Sequence, residues 1–162
     1  MAMTAALRKT MLTVHVATSV GWLGAVGAFL ALALAGFTSR NSELTRAAYL
    51  AMDVTTAYDI VPLAFASLLS GIASSLGTSW GLFRYYWAVM KILLTVLSTV
   101  VLMLHTRPIG LLAAAVAAGP VGATLHDAQR MMVVASGAAL VALGALTALS
   151  IFKPRGITPF GL

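Results

Sequence analysis

The chain has 162 residues, of which 60% are hydrophobic and only 9% charged, and this excludes an ordinary soluble protein. Cysteine is absent, which removes disulfides, thiolate metal sites and cysteine nucleophiles from consideration. The formal net charge of +6 sits at a few positions and forms no basic tract, so no nucleic-acid partner is expected.

The hydropathy pattern predicts an all-α polytopic membrane protein, a four-helix transmembrane bundle with short helical extensions on the outer side. Uncharged runs long enough to cross a hydrocarbon layer of about 30 Å place the spans near 10–36, 58–80, 85–106 and 128–152 of one transmembrane domain. The opening MAMTAALRKT has the basic start of a secretory signal. The apolar run from Met11 to Phe37 is too long for a cleavable signal core, so it reads as a retained first helix.

In this helix Gly21, Gly24 and Gly27 recur every third residue, a spacing that predicts a smooth packing face. His15 lies in its first half, and Trp22, seven residues on, falls within about 20° of the same face. An ionisable side chain inside a span is costly and points by default to function. A neutral His15 bonded to a carbonyl is the structural alternative.

The second helix is expected to begin at an N-cap, Asn41 or Ser42, and to pass through RAAYLAMDVTTAYD. It should enter the membrane near Pro62 with a kink and end by Gly77 to Gly81. The third starts at the interfacial FRYYW and runs to His105-Thr106-Arg107, where Pro108 is expected to end or bend it. Ile109 to Leu125 is also uncharged, but its Ala/Gly content and Pro120 favour an outer interfacial segment over a fifth span. The fourth helix is expected from about Gly122 or Thr124 to Phe152, stopped by KPRG, with a small-residue face of Ser136, Gly137, Gly144, Ala145 and Ala148.

Four spans put Arg8, Lys9, Arg84, Lys91, Lys153 and Arg155 on one side with no acidic residue. Every carboxylate, Glu43, Asp53, Asp59 and Asp127, falls on the other side beside Arg40, Arg46, Arg107 and Arg130. The positive-inside rule then makes both termini cytoplasmic in a bacterial inner membrane. The expected partners are the lipid bilayer and, through the small-residue faces, a homo-oligomer or a membrane redox protein.

Depth follows from the rise of about 1.5 Å per residue. His15 is seven residues past Arg8 and Lys91 seven past Arg84, so both are expected about 10 Å into the inner leaflet. Lys91 could also simply snorkel to the headgroups. His105, fourteen residues past Lys91, belongs to an outer tier with Tyr58, Asp59 and Arg107, and Arg107 and Asp59 could pair there. Asp53, His126, Asp127 and Arg130 stand further out.

Two cofactors suit these groups. Haem b could lie between helices with His15 on its iron, while Lys91 or Met90 completes the coordination or meets a propionate; a His105 and His126 pair is the second arrangement. Copper could use His105 and His126 with Met52, Met103, Met131 and Met132. No HExxH, GxSxG or glycine-rich phosphate loop is present, and a cofactor-free structural subunit is the third class.

His15-x6-Trp22-x-Gly24, Ser70-Gly71, and Gly81 followed by Lys91 and His105-Thr106-Arg107 resemble the copper resistance protein D superfamily of bacterial membrane proteins. The first-helix His, the Trp seven later and the third-helix Lys are also similar to the haem-dependent membrane protoporphyrinogen oxidases. That resemblance implies haem binding through His15 and Lys91.

Overall fold

The computed structural model describes residues 4–76, 85–119 and 125–152. The described chain is helical almost throughout. It comprises α1 (Ala5–Thr38), α2 (Ser42–Thr55), a π-helical turn (Thr56–Ile60), α3 (Val61–Leu76), α4 (Tyr86–Ala118) and α5 (His126–Phe152). Four stretches, Ala5–Thr38, Ser42–Leu76, Tyr86–Ala118 and His126–Phe152, are long and apolar enough to cross a membrane, as expected of a multi-pass membrane protein. Large apolar side chains such as Leu69, Leu104, Val141 and Phe152 face outward on these helices, where lipid would meet them.

The helix starts follow local chemistry. The Thr4 hydroxyl accepts from Leu7 N at 3.3 Å, and the Asn41 side-chain oxygen accepts from Glu43 N and Leu44 N, the N-cap expected for the second hydrophobic stretch. Pro62 acts through the turn before it. Its ring would crowd the carbonyl four residues back, and the chain widens instead, Val61 N–H reaching Thr56 O five residues away. The expected kink is therefore a π-turn that joins α2 to α3.

Pro108 does not end its helix. Of the segment expected as an outer interfacial piece, residues 109–118 are the last third of α4, which continues through the proline to Ala118 and forms no separate fifth span among the described residues. A helix of 33 residues is about 50 Å long, well over the hydrocarbon thickness, so one end stands clear of it. There Ile109, Leu112, Ala113 and Val116 form one buried face. Burial of each large side chain is worth about 1.5–3 kcal/mol, which together outweighs the roughly 3 kcal/mol cost of an interior proline.

The bundle has two unlike ends. At the far end, α2 packs against both α1 and α4, presenting Thr45, Ala48, Tyr49 and Met52 at helical spacing. Tyr49 lies across Gly36, where an added Cβ would stand 2.7 Å from the ring, so only glycine admits this approach. At the near end, where α1 starts and α5 finishes, the helices leave an open cleft. The glycine faces expected from sequence mostly make no close contact within the chain among the described residues. Gly21 faces Leu63, whereas Gly24, Gly27, Gly137 and Gly144 have nothing within 4 Å of an added Cβ. The expectations for Gly77 to Gly81, Arg84, Pro120, Gly122, Thr124 and KPRG fall outside the described residues.

Candidate functional site

Four helices line the near-end cleft, a space of about 750 Å³. On α1, Arg8, Leu12, His15 and Ser19 recur at helical spacing and face it. Ser67, Gly71 and Ser74 contribute from α3, Lys91 and Thr95 from α4, and Thr147 and Ser150 from α5. Arg8, Lys9 and Lys91 are basic, and no carboxylate lies among the lining residues described. The local field therefore favours an anionic or electron-rich ligand group.

His15 is held from both sides of its ring. Nδ1 lies 3.1 Å from Ser67 O and 3.2 Å from Ser70 Oγ. A carbonyl only accepts, and the Ser70 hydroxyl already donates to Ala66 O at 2.6 Å, so Nδ1 carries the hydrogen and shares it between the two oxygens. Nε2 is left with its lone pair, which accepts from Lys91 Nζ at 3.4 Å. The tautomer follows from the bonding partners.

The ring's position depends on α3 having glycine at 71. A Cβ there would come within 3.0 Å of His15 Cε1 and 3.3 Å of Nδ1. One turn away, the Ser19 and Ser67 hydroxyls meet at 2.7 Å and join α1 to α3 a second time. Ser74 also faces the cleft, and its buried Oγ has no hydrogen-bond partner among the described residues. An orphaned buried hydroxyl costs about 1–3 kcal/mol unless something fills its need.

His15 and Lys91, placed by counting in one tier, are indeed neighbours. Trp22 is not part of that site. Although it shares the His15 face of α1, two turns of helix carry it to a different cavity, where it is buried at 4% exposure. Met90 points outward at 54% exposure and does not reach the cleft. The serines Ser19, Ser67 and Ser74 were missed by sequence reasoning, although hydroxyls at Ser67, Ser70 and Ser74 mark one face of an otherwise apolar helix.

The outer-tier groups do not form a site together. His105 lines a central cavity with Trp22, Met131 and Met132, and its Nδ1–H donates to Val101 O at 2.8 Å. His126 lies elsewhere, exposed at the start of α5 with its ring 4.9 Å from that of Phe37. The His105 and His126 pairing is thus not assembled, because the helix of one continues past the level at which the other begins. Met103 and Met52 do not line the central cavity either. Asp59 and Arg107 are both exposed, and no group of three His, Asp or Glu side chains gathers at metal-binding range among the described residues. Comparison with known proteins found no matching family model, curated protein or solved structure.

Proposed function

We propose that the protein is an integral membrane haem b-binding protein with a redox or haem-linked role, in which the near-end cleft would hold the haem and His15 Nε2 would bind its iron. The observation that carries this reading is the fixed tautomer of the imidazole. Its Nδ1–H is held by a backbone carbonyl, one of the usual second partners of a metal-ligating histidine, and its Nε2 lone pair is on the side of Lys91, from which it accepts at 3.4 Å and which would have to turn aside for iron to bind.

The cleft fits such a ligand in other respects. Its volume lies in the range of about 300–1,000 Å³ common for ligand sites. Arg8 and Lys9 at its rim suit the two propionates, and Lys91 is placed either to meet a propionate or to coordinate from the same level. Haem, when bound, would supply one-electron chemistry that the side chains lack. The chain's own part is to orient the ring, neutralise the carboxylates and exclude water.

The basic near end favours a location in a bacterial inner membrane with both termini cytoplasmic. Because the chain has no cysteine, single substitutions can test this directly. Ala5→Cys should be protected from an impermeant thiol reagent in intact cells, and Ser42→Cys should react. The reverse pattern would invert the topology.

The test of haem binding is the absorption spectrum and metal content of the protein purified in mild detergent. A Soret band is expected in the wild type, or after reconstitution with haem, and should be lost in His15→Ala at unchanged helix content. Wild-type protein that stays colourless after reconstitution would refute the reading. Copper that survives His15→Ala and disappears in His105→Ala would move the assignment to copper.

A further inference from the structure

The central cavity, about 490 Å³, shares no lining residue with the His15 cleft. It lies among α1, α4, α5 and the π-turn, and its walls are almost wholly apolar, Trp22 and Phe29 among them. Exposed side chains at its rim, Leu97 and Val101 on α4 and Met131 and Val134 on α5, show that it opens sideways between those two helices. In a membrane this opening faces hydrocarbon, so the ligand would arrive from the lipid.

The few polar groups in the wall have spent their hydrogens. Thr56 Oγ1 donates to Met52 O at 2.7 Å, Ser136 Oγ donates to Met132 O at 2.7 Å, and His105 Nδ1–H donates to Val101 O. What they have left to offer a ligand is lone pairs, the strongest being that of His105 Nε2, which has no partner among the described residues. Ser98 alone keeps a hydroxyl able to donate or accept. Acceptors thus outnumber the one hydroxyl left to donate, and the ligand that suits this wall best is apolar in body and a hydrogen-bond donor in its head.

We infer that the central cavity binds a membrane-dissolved phenolic lipid of the hydroquinone class, its hydroxyl donating to His105 Nε2. A phenol, with a pKa of about 10, is a stronger donor than an aliphatic alcohol and matches an imidazole nitrogen better. The oxidised quinone has only acceptors in its head and could accept from Ser98 alone, leaving His105 Nε2 unmet, so the wall favours the reduced form. The aromatic head fits a slot walled by Trp22 and Phe29. This inference does not depend on haem in the other cleft.

The test uses haem-free protein in nanodiscs, a radiolabelled decyl hydroquinone kept reduced, and empty nanodiscs as the blank. Saturable binding is expected, with the corresponding quinone and the dimethyl ether competing at least tenfold less well and decanol failing to compete. His105→Phe should weaken binding about tenfold, as for a lost buried hydrogen bond, while His105→Gln, which keeps an acceptor, should retain most of it. Ala135→Leu, which fills the cavity from α5, should abolish saturable binding, with helix content and monodispersity checked for every variant. The absence of saturable binding, equal competition by quinone or ether, or full binding in both His105→Phe and Ala135→Leu would overturn the proposal. Equal competition by decanol would overturn the phenolic assignment.

Discussion

The far and near ends of the bundle use the same helices in opposite ways. At the far end, α2 is inserted between α1 and α4, and Tyr49, Met52, Leu112 and Met132 close the interior with exposures of 1%, 1%, 2% and 1%. At the near end no such filler is found among the described residues, and the facing positions carry His15, Lys91 and a row of serines around an open cleft. Both ends rely on a glycine that lets a ring lie against a helix. At Gly36 the ring is trapped in a filled core, whereas at Gly71 it borders free space. Close approach between helices is thus a packing device in one place and a means of aiming an imidazole in the other.

The same substitution at the two glycines gives the sharpest contrast. Gly36→Ala drives a Cβ to 2.7 Å from a Tyr49 ring that has nowhere to go, so we expect a loss of about 1–3 kcal/mol in denaturant unfolding, as for overpacked cores. Gly71→Ala meets His15 at 3.0 Å, but the ring can yield into the cleft. The helical gain of about 1 kcal/mol for alanine over glycine then makes the net stability change small. Haem retention should fall nonetheless, because the ring is re-aimed. Equal destabilisation at the two sites would erase the distinction between a filled and an open end.

Tyr49→Phe comes next in size. The Tyr49 hydroxyl is buried with no hydrogen-bond partner among the described residues, so its removal should raise stability by about 1 kcal/mol and leave any Soret band unchanged. A lower melting point for this variant would mean that the hydroxyl has a partner after all. The smallest effect is expected for Ser70→Ala. Nδ1–H of His15 keeps the Ser67 carbonyl, so loss of the second acceptor should cost about 0.5–1 kcal/mol and broaden the haem spectrum without abolishing it. Complete haem loss in Ser70→Ala would mean that the hydroxyl, not the carbonyl, holds the ring.

Much of the axial order could be read from the chain. The Asn41 cap, the four spans and the shared level of His15 and Lys91 all depend on spacing along a helix, which rises by a constant amount per residue. Pro108 misled for a definite reason: the usual rule weighs the missing N–H, but the buried face from Ile109 to Val116 holds α4 together beyond it. Of the three glycines of α1 only Gly21 meets another helix within the chain, since small residues permit a helix contact without requiring one.

What the sequence determined by itself, then, was how far along the bundle each polar group stands and how many times the chain crosses. Only the tertiary structure decided which groups meet around each axis. It set His15 against Ser67 and Ser70, turned Trp22 into the cavity of His105, and left His126 outside against Phe37. The physical reason is that rise is a property of one helix, whereas rotation and tilt are chosen by the packing of all of them. A difference of two turns on one face is enough to send His15 and Trp22 to separate cavities.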